Sequence, residues 1–227
     1  MKTLTDIPFS IDVDSLIKRS RIAPDSEDAR DFRSLAQLAV QEGKPKATYT
    51  VGFIDVRDSD TVQIEGVRFT SRALVHNLQF TERVFPFVAT CGRELDEVFP
   101  AKGDMLLEFW WDLIKTQLLL AAEHHVREHL HRVFRLGKTA TMRPGSADAT
   151  IWPIEQQQEL FALLGDVDAR IGVKLTESSL MIPNKTTSGF LFPTEQDFRS
   201  CEVCQREDCP SRHAPFNPEL WEELQHD

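Results

Sequence analysis

The chain has 227 residues, of which 41% are hydrophobic and 27% are charged, and its net charge is −10 at pH 7. These totals predict a globular protein with one sizeable domain, or one domain with an appendage. Binding to nucleic acid or to an anionic membrane surface depends on clustered Lys and Arg, so the acidic balance disfavours both. The N-terminus has no apolar segment, and no stretch approaches the roughly 18 apolar residues of a membrane span. We therefore expect a cytoplasmic protein without a membrane partner.

The first half of the chain predicts one helix followed by antiparallel strands. The helix begins after Pro24-Asp25-Ser26, a start signal, and ends at Gly43, with apolar residues at core spacing between them. The strand segments are rich in Val, Ile, Thr and Phe, and the polar stretch 57–60 predicts a hairpin turn. In chain order, these elements are a helix over 26–40 and strands over 47–56, 61–69 and 84–91.

The second half contains the longest predicted helix, over 104–136. Asp104 supplies its N-cap and Gly137 its stop, and the apolar residues of its first half predict a central, mostly buried helix. Another helix is predicted over 153–164. Strands and helices do not alternate regularly, which disfavours a doubly wound parallel sheet. Gly137-Lys138-Thr139 lacks the earlier glycine of a phosphate-binding loop and follows a helix, so we do not expect such a loop here.

A hydroxyl-rich segment over 170–192 predicts two short strands around a polar turn. Val173 and Leu175 favour the first strand, Leu180 and Ile182 favour the second, and the chain must bend at Pro183-Asn184-Lys185. Short hydroxyl side chains can line a site for a polar cofactor, but an ordinary Ser/Thr-rich hairpin has the same composition. The hydroxyl residues are Thr176, Ser178, Ser179, Thr186, Thr187 and Ser188.

Two acids and one arginine are candidates for binding a charged ligand. Glu123 ends an apolar run of the long helix, and Asp112 lies about three turns earlier on the same face. A partly buried carboxylate needs a cation, which is either an Arg or Lys of the chain or an ammonium or sulfonium of a ligand. Arg143 precedes Pro144 and is held extended, while Gly145 allows close backbone approach. Arg143 is then either a clamp for a carboxylate or an ordinary surface arginine.

Three cysteines are crowded near the C-terminus, in the spacing C-x2-C-x4-C. Three neighbouring thiolates repel one another unless a cation or a cluster holds them. Either His213 completes a zinc site of three thiolates and one imidazole, or Cys91 instead completes four thiolates from a distance; an iron–sulfur cluster is the other candidate, and unligated thiols are the ordinary alternative. We therefore divide the chain into a domain over 1–198 and a Cys-rich tail over 199–227. The expected metal ligands are Cys201, Cys204, Cys209 and His213.

Residues 45–195 resemble the activation domain of cobalamin-dependent methionine synthase. Residues 170–192 resemble its motif KLTES…M.P…(S/T)SG(F/W).F, and residues 89–97 resemble the VTGG-L-E-E turn that precedes its long helix. Arg143-Pro144 resembles the start of its RPAPGY motif, although the spacing is compressed and the GY pair is missing. The Cys-rich tail has no counterpart in the fused domain and resembles stand-alone members found beside separate corrinoid proteins.

The resemblance implies an α+β fold, with a twisted antiparallel sheet and packed helices. It implies that the protein binds S-adenosylmethionine and reductively remethylates an oxidised cobalamin or other corrinoid on a partner. That partner is a corrinoid-binding protein or the methionine synthase core, and a flavodoxin- or ferredoxin-like protein supplies the electron. The need for an electron favours an iron–sulfur cluster over zinc in the tail. The cofactor-binding residues implied are Glu123 and Arg143 at the methionyl end, and Gly145, Thr176, Glu177, Lys185, Ser188 and Gly189 around the adenosyl or corrinoid side.

Two further functions are consistent with the same residues. Loss of the GY pair is consistent with a non-catalytic docking module that grips a corrinoid protein without binding the nucleoside. A redox protein that carries a metal in its tail is the third hypothesis. The first hypothesis, a methyltransferase component for corrinoid reactivation, is the one that most of the matched motifs favour.

Overall fold

The computed structural model describes residues 1–146, 151–195, 198–209 and 212–225. Within these ranges the strands are β1 Lys2–Leu4, β2 Lys46–Tyr49, β3 Gly52–Arg57, β4 Thr61–Ile64, β5 Val67–Thr70, β6 Arg83–Thr90, β7 Thr139–Met142, β8 Lys174–Leu175, β9 Met181–Ile182 and β10 Thr186–Pro193. The α-helices are α1 Val13–Arg19, α2 Glu27–Glu42, α3 Arg72–Leu78, α4 Glu94–Val98, α5 Met105–Phe134, α6 Gln157–Leu164, α7 Val167–Ile171 and α8 Pro218–Gln225. None of these helices is long and apolar enough to cross a lipid bilayer.

Strand β6 is the centre of an eight-stranded, entirely antiparallel sheet. β10 pairs with one edge of β6, and β7 pairs with the far edge of β10. β2 and β3 follow each other along the opposite edge of β6; β1 pairs with β2, and the β4–β5 hairpin pairs with β3. The predicted antiparallel sheet is therefore confirmed, as is the turn at 57–60, where the Asp58 N–H donates to the Thr61 carbonyl at 2.9 Å.

Two predicted strands are each interrupted, and both interruptions have a backbone cause. The stretch 47–56 breaks between β2 and β3, where Thr50 faces Pro86 of β6. Pro86 accepts a hydrogen bond from the Thr50 N–H at 3.0 Å but has no N–H to return. The stretch 61–69 breaks at Glu65-Gly66, where φ is +49° and +77° and the chain reverses in a two-residue hairpin turn.

Both faces of the central strands are covered by helices. On one face Val84 and Val88 of β6 pack with Phe190 in a cluster that also contains residues of α3, α6 and α7. On the other face Phe85 and Phe87 pack with the second half of α5. Because successive side chains of a strand alternate between faces, β6 and β10 need apolar residues at almost every position. A third cluster joins α1, α2, α4 and the first half of α5.

Helix α5 confirms the predicted long helix, but it ends earlier than expected and its first half is less buried. The Asp104 carboxylate accepts from the N–H groups of Leu106 and Leu107, as expected of the N-cap. The helix ends at Phe134 because Arg135 is left-handed, with φ +52°, so the stop precedes Gly137. The first half is only partly buried, since Phe109 is 55% exposed.

The segment after Arg199, which the sequence marks only as a Cys-rich tail, contains regular structure. A 3₁₀ helix spans Ser200–Val203, and α8 spans Pro218–Gln225. Val203 and Leu224 are buried in the same cluster as Val84 and Phe190. Sequence patterns do not reveal short helices of this kind, because few apolar residues mark them and because α8 is buried through contacts with α3 and with the 3₁₀ helix.

Candidate functional site

The end of β7 brings Arg143 to Glu123, in the middle of α5. The Arg143 guanidinium binds the Glu123 carboxylate directly, and its Nε donates to Thr187 Oγ1 at 3.1 Å. Arg127, one helical turn after Glu123, approaches the same carboxylate oxygen at 3.5 Å. The Arg143 and Glu123 side chains are only 30% and 21% exposed, so this ion pair is partly shielded from water. The structure therefore places the two predicted ligand-binding residues together, each already neutralising the other.

Two glycines allow the chain to pass closely around Arg143. A Cβ atom on Gly189 of β10 would overlap the Met142 carbonyl oxygen and lie 3.0 Å from Arg143 Cγ. Gly145 has φ +71° and donates its N–H to the Trp152 carbonyl at 2.8 Å. A Cβ there would lie 2.9 Å from Ile154 Cβ, so the Arg143-Pro144-Gly145 turn depends on glycine at its third position.

Beside this turn lies a cavity of about 360 Å³, which we call the Arg143 cavity. Its wall combines apolar side chains with the hydroxyl groups of the 176–188 segment. Gln157, which is 3% exposed, orders this wall: its Nε2 donates to the Ser179 carbonyl at 2.8 Å, and its Oε1 accepts from the Ser188 hydroxyl at 2.5 Å. The described lining residues are Arg143, Pro144, Gly145, Ser146, Ile154, Gln157, Ser179, Leu180, Met181, Asn184, Thr186, Thr187 and Ser188.

Three of the predicted cofactor-binding residues line the Arg143 cavity, and the others lie around it. Glu123 does not line the cavity but binds the lining residue Arg143. Gly189 packs against the backbone of Met142 and the side chain of Arg143. Thr176 closes the turn between β8 and β9, since its Oγ1 accepts from the Leu180 N–H at 3.0 Å. Glu177 lies on that turn. The three lining residues are Arg143, Gly145 and Ser188, and the contact of each residue with a ligand stays a prediction.

Lys185 and Asp112 form part of a second ionic cluster, between α5 and the bend before β10. Lys185 Nζ lies 2.5 Å from Asp112 Oδ2, and Asn184 Nδ2 donates to Asp112 Oδ1 at 3.0 Å. Burial alone raises the pKa of the Asp112 carboxyl, but these hydrogen bonds outweigh it and hold the pKa below its ordinary value. Lys115, buried beneath, donates to Asn184 Oδ1 at 2.7 Å and to Asp96 Oδ1 at 2.8 Å. This cluster fixes the bend on which the cavity wall depends.

The cysteine-bearing segment is organised by an arginine. The Arg212 guanidinium donates to the carbonyl oxygens of Cys201 at 3.0 Å, Cys204 at 2.9 Å and Ala214 at 3.0 Å. The His213 N–H donates to Cys201 Sγ at 3.4 Å. Among the described residues, no group of three or more His, Cys, Asp or Glu is arranged to hold a metal ion. Zinc or an iron–sulfur cluster in the tail is thus unsupported by the geometry and stays a prediction.

Cys91 lies apart from the other cysteines. It is fully buried in the cluster between α2 and α5, whereas Val203 of the tail belongs to the cluster on the opposite face of the sheet. Burial raises the pKa of the Cys91 thiol to about 12, so the side chain is a neutral core residue. Its predicted role as a fourth metal ligand has no geometric support.

Sequence reasoning missed two contributors to the site. Arg127 has a recognisable signal, because an acid and a base four residues apart face each other on a helix. Gln157 falls within the predicted helix 153–164, where a polar residue among core-facing positions indicates a buried hydrogen-bonding role.

Comparison with known proteins identifies the fold. Neither a protein-family model nor a curated protein matches this chain. Among solved structures, the chain is similar to the MetH reactivation domain bound to AdoHcy, with a TM-score of 0.58 and 15% sequence identity. The superposition covers 88% of this chain and 80% of that one. The predicted α+β architecture is confirmed, and the chain has the fold of the MetH reactivation domain.

Proposed function

We propose that this protein binds S-adenosylmethionine in the Arg143 cavity and serves the reductive remethylation of a corrinoid carried by a partner protein. One observation carries the proposal: a fixed guanidinium and a helix-borne carboxylate meet at the wall of a cavity, in a fold shared with a domain whose solved structure holds AdoHcy. The proposed partners are a corrinoid-binding protein or a methionine synthase core, and a flavodoxin- or ferredoxin-like electron donor.

The charges of the site suit the zwitterionic amino-acid end of this ligand. Its carboxylate is a match for Arg143, whose planar guanidinium donates two parallel hydrogen bonds. Its ammonium group is a match for Glu123, which the chain now pairs with Arg143 and Arg127. A zwitterion placed between Arg143 and Glu123 keeps both charges compensated, which a singly charged ligand does not.

The rest of the cavity suits the adenosyl part. Its volume of about 360 Å³ lies within the range of about 300–1,000 Å³ typical of ligand pockets. Ile154, Leu180 and Met181 supply apolar surface, and Ser188 and Thr187 supply hydroxyl groups. The corrinoid, when bound and reduced, supplies the acceptor for the methyl group. The residues of this chain bind and orient the methyl donor and keep water from the reacting groups.

Calorimetric titration with S-adenosylmethionine and AdoHcy tests the proposal. We expect micromolar binding by the intact chain and at least a tenfold loss of affinity in Arg143→Gln, because one charge-assisted pair is worth roughly 1.5–3 kcal/mol. Arg68→Gln is the matched control, since Arg68 is exposed on β5 and is not among the described residues that line the cavity. Absence of binding by a correctly folded wild-type chain contradicts the proposal, and so does equal binding by Arg143→Gln and Arg68→Gln.

A non-catalytic docking module is the second candidate function. It is favoured by the exposed apolar residues Leu180 and Ile182, which are 57% and 53% accessible on the β8–β9 hairpin beside the cavity. A docking module of this kind binds a corrinoid protein with equal affinity in the presence and absence of S-adenosylmethionine. Measuring the affinity of Arg143→Gln for the corrinoid protein separates the two functions. A docking module keeps the wild-type affinity, because it does not need the guanidinium.

A further inference from the structure

A second cavity, of about 520 Å³, lies between the outer edge of β7 and the segment after Phe198. We call it the tail cavity. Its described lining residues include four cationic side chains, from Arg127, Lys138, Arg143 and Arg199, together with His213, and none is Asp or Glu. The whole chain has 36 acidic and 26 basic residues, so this wall reverses the charge balance of the molecule. Such a local concentration of positive charge attracts anions.

Among the described residues, the pairing of the three arginines leaves a surplus of positive charge in the tail cavity. Arg127 and Arg143 share a single carboxylate, that of Glu123. Arg199 donates to the His213 carbonyl at 2.8 Å, and among the described residues no carboxylate lies within ion-pair distance of its guanidinium. The surplus does not depend on Lys138, whose ammonium group donates to the Glu195 carbonyl at 3.2 Å.

The outer edge of β7 adds neutral hydrogen-bond donors to the same wall. Lys138 accepts from the Thr194 N–H at 3.1 Å, and the register pairs Ala140 with Phe192. Since antiparallel strands bond at alternate residues, the backbone groups of Thr139 and Thr141 face away from β10. No other described strand pairs with β7. The N–H and C=O groups of Thr139 and Thr141 are therefore presented at the edge that lines the tail cavity, and the two N–H groups are the donors that an anion there can use.

We propose that the tail cavity binds a small phosphorylated molecule. A planar carboxylate is satisfied by one guanidinium fork, whereas a tetrahedral phosphate accepts hydrogen bonds from several directions. The four cations come from α5, from the two ends of β7 and from the tail segment, and so surround the space from several sides. This arrangement is not a phosphate-binding loop after a strand, and it uses Lys138 only as one cation among several.

The tail cavity is separate from the site of the proposed function. Among the described lining residues, Arg143 is the one that the two cavities share, and the variants Arg199→Gln and Lys138→Gln leave it unchanged. Each variant is also titrated with AdoHcy, whose binding we expect to stay within about twofold of wild type. Failure of the phosphate site and failure of the S-adenosylmethionine site are thereby distinguished.

Titration of the intact chain with glycerol 3-phosphate, inorganic phosphate and acetate at constant ionic strength tests the tail cavity. We expect saturable binding of both phosphate compounds and none of acetate. Arg199→Gln and Lys138→Gln should each weaken phosphate binding about fivefold or more, since each removes one charge-assisted contact. Tighter binding of the ester identifies a phosphorylated metabolite as the ligand, and equal binding identifies free phosphate.

Arg206→Gln is the matched control, because Arg206 is exposed in the same segment but does not line the tail cavity. Circular dichroism establishes whether Arg199→Gln retains the fold. If Arg199→Gln loosens the tail segment, Lys138→Gln gives an independent result, because Lys138 lies next to β7. The proposal is overturned by equal, non-saturating effects of phosphate and acetate. It is equally overturned if folded Arg199→Gln and Lys138→Gln both bind phosphate as tightly as Arg206→Gln does.

Discussion

Gly189 is the residue on which the close approach of β7 to β10 depends. Its missing side chain leaves room for the Met142 carbonyl and for the first part of the Arg143 side chain. We expect Gly189→Ala to lower the free energy of unfolding by about 1–3 kcal/mol, the usual cost of overpacking, because strand backbone must move. It should also weaken AdoHcy binding, since Arg143 is displaced from Glu123.

The control for this substitution is Gly137→Ala. A Cβ on Gly137 meets no atom within 4 Å, and alanine there loses less conformational entropy on folding than glycine does. Urea unfolding of the two variants should therefore give a marked loss for Gly189→Ala and little change for Gly137→Ala. Equal stabilities would show that β7 can move away from β10 without cost.

The site residues differ in how far their roles can be predicted from sequence. Glu123 and Arg143 are identified by residue type and local context, and the requirement of a buried carboxylate for a cation holds in the structure. Sequence reasoning leaves open whether that cation belongs to the chain or to a ligand. Gln157 is not identifiable as part of the site, because its hydrogen bonds to residues 179 and 188 depend on how α6 meets β10.

At the scale of elements, the long helix α5 carries Glu123 and Arg127 and packs against α2, β2, β6 and β10. Asp104 caps its first turn by accepting at 3.0 Å from the Leu106 N–H and at 3.1 Å from the Leu107 N–H. Asp104→Ala should lower the free energy of unfolding by about 1 kcal/mol, as loss of an N-cap typically does. Denaturant unfolding measures this change.

Asp104→Asn is the informative comparison for the N-cap. Asparagine keeps an oxygen acceptor, so most of the stability should be retained, apart from roughly 0.3–1 kcal/mol that the negative charge contributes near a helix N-terminus. AdoHcy binding should be unchanged in both variants, because Glu123 lies about five turns along the helix. If Asn destabilises as much as Ala, the effect of Asp104 is not capping.

Elements with strong periodicity or clear end signals are predictable, and their interruptions are not. The Asp104 cap and the Ser26 cap mark α5 and α2 in the sequence. The break of the first long strand depends on Pro86, which is distant in the chain and faces Thr50 only after the strands pair. The end of α5 at Arg135 contradicts local preference, since a left-handed conformation is usually taken by glycine.

At the scale of the whole molecule, the antiparallel α+β architecture follows from a resemblance rather than from composition. Hydrophobic residues at almost every position of β6 indicate a strand that is buried on both faces, but not which helices cover it. The cover on one face includes the C-terminal segment, through Val203 and Leu224. The predicted boundary at residue 198 lies where the composition becomes polar, and polar composition does not exclude a few buried anchors.

The role of the C-terminal segment can be measured at Leu224, which is 7% exposed. If residues 199–227 form an independent appendage, shortening this side chain leaves the unfolding of the main domain unchanged. If the segment is part of the core, Leu224→Ala should lower the free energy of unfolding by about 2 kcal/mol, at the lower end for a buried leucine because helix ends near a terminus fray. Glu222→Ala, at an exposed position of the same helix, is the control and should change the free energy of unfolding by less than about 0.5 kcal/mol.

A single cooperative transition that shifts with Leu224→Ala but not with Glu222→Ala places the segment within the folding unit that also positions Arg143.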